Sequence, residues 1–212
     1  MNLRSLKLCF LLHALSTQRE VSTAKAVAAI RRLQDEGGAV IRSQAPLMRG
    51  INDEAHVWAD KWRAEVKLGI VPYYLFVARD TGARHFFDVP LHEAQQIYAD
   101  AIRSTSGLCR TARGPSMSCT PGKVEVVGVQ DVGGVPAFVL RFLQCRDADW
   151  IGRVFFAKYD ERAVWFDDLE PLDGQELPWT PEGLPKAVPT MPWKALPAAQ
   201  ATSQPKVALA LE

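Results

Sequence analysis

The chain has no pair of cysteines at a CxxC spacing; its four cysteines stand apart at positions 9, 109, 119 and 145. That excludes a zinc ribbon and a disulfide framework, and scattered free thiols point to a reducing, cytoplasmic setting. A surplus of one charge is also missing. With a formal net charge of +1 over 212 residues, neither nucleic acid nor an anionic membrane surface is an expected partner. No apolar run approaches the roughly 20 residues of a membrane span. The run Leu6 to Leu12 reads as a strand, although a charged start followed by a short apolar core is also the shape of a signal peptide.

What is present is globular. An apolar content of 48% can fill a sizeable core. After Leu6 to Leu12, the stretch Ser22 to Glu36 carries Ala26, Val27, Ile30 and Leu33 at helical spacing, with Ser22 or Thr23 placed to cap it and Gly37-Gly38 to end it. A short strand is expected at Ala39 to Ser43, then a loop through APLMRGIND. A second helix follows, capped by Asn52 or Asp53 and running to about Leu68, with Val57, Trp58, Trp62 and Val66 on one face.

The apolar and aromatic run Val71 to Ala78 reads as a strand buried on both faces, and it stops abruptly at Arg79. Arg79, Asp80, Arg84, His85 and Asp88 then crowd a loop before Pro90 opens a third helix through Ile102. Polar groups at the carboxyl end of a buried strand are where α/β proteins keep their chemistry. Three strand-helix alternations imply parallel βα units, with too few strands to cover their own edges.

Beyond Gly107 the rhythm changes. GLCRTARGPSMSCTPGK reads as a polar connector, followed by antiparallel strands at Val124 to Gln130, Ala137 to Gln144, Arg153 to Tyr159 and Ala163 to Phe166. Seven of the fourteen prolines lie from Pro178 onward, so that tail is expected to be disordered or extended.

The order SQAPLMRGIND, GIVPYYLF, RHF with VPL, SG and TPGKVEV, over about Glu20 to Val126, resembles the C-terminal half of the catalytic region of the lysine 2,3-aminomutase family. These are radical enzymes that use S-adenosylmethionine, a four-iron cluster and pyridoxal phosphate to move an amino group from the α- to the β-carbon of an amino acid. By the resemblance, Lys123 matches the lysine that holds pyridoxal phosphate covalently, and Gln44 the glutamine that ends a barrel strand near the adenosyl group. A neutral amine on a mobile stem after a Pro-Gly turn suits the first role. Tyr73, Tyr74 and Phe76 match an aromatic strand; alternation is expected to send them to opposite faces.

Three departures stand out. Lysine-specific members carry aspartates where this chain has Arg79, with Asp80 one step late, and Ser116, preceded by Arg110 and Arg113. The expected substrate is thus an amino acid with a carboxylate or polar side chain, with Arg79, Asp80 and Arg113 as substrate-binding candidates; holding a cofactor phosphate, or pairing with Asp80 and Asp88, is the other use of these arginines. Ala14-Leu15 stand where the family has a His-Phe pair, with His13 one place early. The cluster-binding CxxxCxxC triplet does not occur.

The fold class expected is therefore α/β: the last three βα units of a partial radical-SAM-type barrel (1–109), a cofactor-lysine connector (110–126), a β-rich appendage (127–177) and a Pro-rich tail (178–212). Such a chain is expected to be inactive alone. Its partners would be an amino-acid substrate and a cluster-bearing first half or further copies of itself. The rival expectation is a non-catalytic remnant or a partner-dependent subunit.

Overall fold

The computed structural model describes residues 18–79 and 83–174. The Leu6 to Leu12 run, the His13 region, Asp80 and the tail from Pro178 lie outside them. A short helix α1 (Gln18–Val21) precedes α2 (Ala24–Asp35), whose cap is Thr23: its hydroxyl accepts the Ala26 N–H at 3.2 Å. Ile30 of α2 packs with Val21, Ala39, Ile41 and Ile70 into a small apolar cluster.

Strand β1 is Arg42–Leu47, shifted toward the carboxyl end from the expected 39–43, so Gln44 lies in mid-strand and not at a strand end. The reason is pairing. Parallel contacts with β2 (Val71–Val77) run from Arg42 opposite Val71 to Leu47 opposite Val77 and draw Ala45-Pro46-Leu47 out of the expected loop. Pro46 is tolerated because β1 is at the edge of the sheet among the described residues.

Helix α3 (Ala55–Lys67) starts without a side-chain cap at Glu54. Neither expected cap serves it: Asp53 pairs with Arg49, and Asn52 stitches the preceding loop, its Oδ1 accepting the Met48 N–H at 2.7 Å, its Nδ2 donating to the Pro46 carbonyl at 2.9 Å and its own carbonyl accepting from Trp58 Nε1 at 2.7 Å. A one-turn helix α4 (Arg84–Phe87) precedes α5 (Leu91–Arg103), which Pro90 opens as expected. Trp58 and Trp62 of α3, Ala94 and Ala101 of α5, and Ala45, Leu47 and Leu75 of the strands form one buried cluster, so both helices cover the same sheet face.

The stretch expected as a connector belongs to the sheet. Arg113–Cys119 is β3, parallel to β2, and Gly122–Val132 is β4, antiparallel to β3. β5 (Val135–Cys145) and β6 (Val154–Lys158) complete a six-stranded mixed sheet of order β1-β2-β3-β4-β5-β6. The expected appendage is thus a continuation of one sheet. Its fourth expected strand is not formed: the Ala163 carbonyl accepts the Leu91 N–H at the start of α5, and Pro171 makes the isolated bridge to Ala157 instead. No helix among the described residues is long and apolar enough to cross a membrane.

Candidate functional site

The expectation that β2 is buried on both faces holds in part, Tyr74 on the second face being 2% exposed. One face, with Leu75 and Val77, joins the cores under α3 and α5, whereas Tyr73 and Phe76 on the other side stay half-buried. Cross-strand partners share a face. The pairs Gln44–Tyr74, Tyr74–Arg113, Phe76–Ser116, Ser116–Glu125 and Ser118–Lys123 therefore put these side chains together on the face away from the helices.

Alternation would remove Tyr73 from this face, but the register slips. Ser43 lies opposite Pro72 and Gln44 opposite Tyr74, so Tyr73 is the extra residue of a bulge and turns toward Tyr74. The Tyr73 and Tyr74 ring centroids are 4.3 Å apart, edge to face; Tyr74 and Phe76 stack at 5.1 Å with 16° between planes. All three aromatics form one floor, contrary to the expectation that they divide between faces.

Cations stand over this floor. Lys123 Nζ is 4.1 Å from the Tyr74 centroid and 4.9 Å from that of Phe76. The Arg113 guanidinium lies 5.5 and 5.7 Å from Tyr73 and Tyr74 and donates to the Tyr74 hydroxyl at 3.3 Å; Arg42 lies 5.2 Å from Tyr73. Such contacts attract a cation through the ring quadrupole but leave its charge uncompensated.

Lys123 owes its place to the turn before it. Cys119 pairs with Gly122 and Ser118 with Lys123 across the Thr120-Pro121 turn. A Cβ on Gly122 would meet the Gln144 carbonyl oxygen at 2.1 Å, so glycine is what lets β5 close against β4 beside the lysine. Burial, then the Arg79 charge, then that of Arg113 hold the Lys123 amine below the ordinary lysine range. The lysine is thereby biased toward the free-base, nucleophilic form. A cavity of about 310 Å³ opens beside it, lined by Ser118, Cys119, Gln144 and Cys145 among others. Burial pushes the Cys119 thiol up to about 12 and raises Cys145, so both thiols are held toward their protonated, less nucleophilic form.

The carboxylate on this stretch of the face is engaged. Glu125 accepts the Gly114 N–H at 3.2 Å and the Arg141 Nε–H at 3.1 Å. On the opposite side of β1, buried Lys61 pairs with buried Glu65, whose other oxygen accepts the Ser43 hydroxyl at 2.6 Å.

Of the residues singled out from sequence, Lys123, Gln44 and Arg113 share the face, and Arg79 is close enough to act on the Lys123 charge. Asp80 lies outside the described residues. Arg110 is elsewhere, donating to the Ile102 and Thr105 carbonyls at the end of α5. Sequence reasoning missed Arg42, the Glu125–Arg141 pair and the Lys61–Glu65 pair. The last was legible as an i,i+4 pair on the Trp58–Trp62 stripe; the first two depend on strand register. Among the described residues no group of three His, Cys, Asp or Glu could hold a metal ion.

No family model matches the chain. Over 166 residues, 78% of this chain, it is 27% identical to a protein of Aquifex aeolicus (strain VF5) named "Putative L-lysine 2,3-aminomutase", covering 42% of that protein. Over 84 residues, 39% of this chain, it is 36% identical to the L-lysine 2,3-aminomutase of Escherichia coli (strain K12), covering 23% of it. The chain spans less than half the length of the curated relatives it matches.

Proposed function

We propose that this chain supplies the cofactor lysine and part of the amino-acid pocket of an aminomutase-like isomerase, one that moves an amino group between adjacent carbons. The observation that carries this reading is Lys123: a half-buried amine set on the Tyr74–Phe76 stack and depressed in basicity by burial and by the charges of Arg79 and Arg113.

These residues fit pyridoxal phosphate. Lys123 would hold its aldehyde carbon, the aromatic floor would support its ring, and a guanidinium of Arg79 or Arg113 would meet its phosphate. Bound there, the cofactor supplies an electrophilic carbonyl for a substrate amine and a conjugated ring beside the reacting carbons. Burial and the neighbouring guanidiniums keep the Lys123 Nζ lone pair available at pH values where a solvated lysine is protonated. Tyr74 and Phe76 exclude water from one side of that nitrogen. Gln44, beside Tyr74, presents a buried amide that can orient a polar group of substrate or nucleotide.

The residues do not fit an iron–sulfur cluster. Cysteines 9, 109, 119 and 145 carry no triplet spacing. Radical chemistry in this reading is the work of residues outside this chain. The barrel arc is then β1 to β3, and β1, an edge strand among the described residues, is where a partner sheet or a further copy would join.

The test is reductive trapping. The chain is mixed with pyridoxal phosphate, treated with borohydride and mapped by peptide mass. The reading expects one adduct, on Lys123, lost in Lys123→Met. An absent adduct, or one spread over surface lysines, would overturn it.

A further inference from the structure

The rim of the site has cations and, among the described residues, no spare anion. Arg42 and Arg113 lie over the Tyr73 ring and Lys123 over Tyr74 and Phe76, and the Arg79 charge acts on Lys123. Away from the site, Arg49 pairs with Asp53 and Glu93, Arg63 with Asp60, Arg103 with Asp100 and Arg141 with Glu125, and Arg31, Arg110 and Arg146 donate to backbone carbonyls. Arg42, Arg79 and Arg113 have no carboxylate partner among the described residues, and Arg113 spends a donor on the neutral Tyr74 hydroxyl. Glu125, the carboxylate that shares their face, is saturated by Arg141 and the Gly114 N–H.

Three guanidiniums outnumber what a cofactor phosphate and a substrate α-carboxylate require. One planar fork is left for a further anion, and a fork matches a carboxylate with two parallel hydrogen bonds. A distal ammonium in the same place would meet only like charge. Resting on the reading just given, we infer that the substrate is an amino acid with a carboxylate side chain, and not lysine, its two carboxylates held by the guanidiniums of the Arg42, Arg79 and Arg113 set that the cofactor phosphate leaves free. The inference sets the substrate of this chain apart from the one in its relatives' names.

The experiment is calorimetric titration of L-glutamate, L-glutamine and L-lysine into the full chain whose Lys123 has first been loaded with pyridoxal phosphate. Glutamate and glutamine have nearly the same shape, so their difference reads the charge alone. Glutamate is expected to bind at least tenfold more tightly than glutamine, with lysine weaker than both. In Arg113→Gln and Arg79→Gln, which change exposed side chains, the preference for glutamate over glutamine, read on chains whose cofactor loading is confirmed by absorbance, is expected to fall below threefold. Lysine or glutamine binding as well as glutamate would overturn the inference and leave the cofactor reading intact, as would a preference that survives both substitutions or no binding of any of the three. A chain whose Lys123 takes no cofactor fails at the earlier step, and both claims fall together.

Discussion

Two lysines lie on opposite sides of the same parallel strands, and their surroundings differ in kind. Lys61 on α3 is 3% exposed and pairs with Glu65, fully buried, whose second oxygen takes the Ser43 hydroxyl. Lys123 is half-buried, and its near neighbours are rings and other cations. In the first case the fold supplies the countercharge, and the group can only hold α3 to β1. In the second the fold withholds it, leaving an amine with depressed basicity and a cation-rimmed face that a ligand can satisfy. The contrast separates a structural buried charge from a functional one by the partner it is given, not by how deeply it is buried.

That contrast can be broken at Glu65 first. Glu65→Ala leaves Lys61 buried and unpaired, and is expected to cost about 3–5 kcal/mol of unfolding free energy in urea melts. The double variant Lys61→Met/Glu65→Leu is expected to recover most of it. A single-variant cost below about 1 kcal/mol would mean that the pair is not what fixes this layer.

At the other lysine, Gly122→Ala drives a Cβ against the Gln144 carbonyl and is expected to cost about 1–3 kcal/mol. It should also lower the yield of the trapped Lys123 adduct, because β4 must shift. An unchanged melt and adduct would show that the turn has room the structure does not suggest.

Lys123→Met sharpens the comparison by dissociating stability from binding. The charge that it removes is disfavoured in the fold, so the melting temperature is expected to stay the same or rise slightly, while adduct formation is lost. A large fall in melting temperature would make Lys123 structural like Lys61.

The smallest effect is on pH. The folded-state value of Lys123 lies below 10.5, so between that depressed value and 10.5 the unfolded chain binds more protons. Stability therefore rises with pH across this window, and the penalty is fully present below it. The trapping rate should rise through the folded value as the free amine forms. Arg79→Gln removes one lowering charge, and the midpoint is expected to move upward; a midpoint that stays put would place Arg79 too far away to matter.

Local patterning was readable where a single element carries its own signal. Thr23 before the Ala26–Ile30 repeat, Pro90 before Leu91, and the tryptophan stripe of α3 announce themselves through capping, ring geometry and helical period. Pairing was not readable. Pro46 looked like a loop residue and is held in β1 by β2. Residues 113–119, with Gly114, Pro115 and two serines, lack the β-branched signature of a strand and became β3 because they fit between β2 and β4. Asn52 looked like a cap and serves a loop.

The candidate site divides in the same way. Lys123 and Gln44 were named by the resemblance to a known family, and Arg79 and Arg113 as charges that depart from that family's pattern. That Tyr73 joins Tyr74 and Phe76 on one floor, that Arg42 reaches it, and that Glu125 is already taken by Arg141 were decided only by the tertiary structure. A one-residue bulge between β1 and β2 and the register of β3, β4 and β5 set which side chains share a face. Register is fixed by the packing of strands that are far apart in sequence, and no local pattern encodes it.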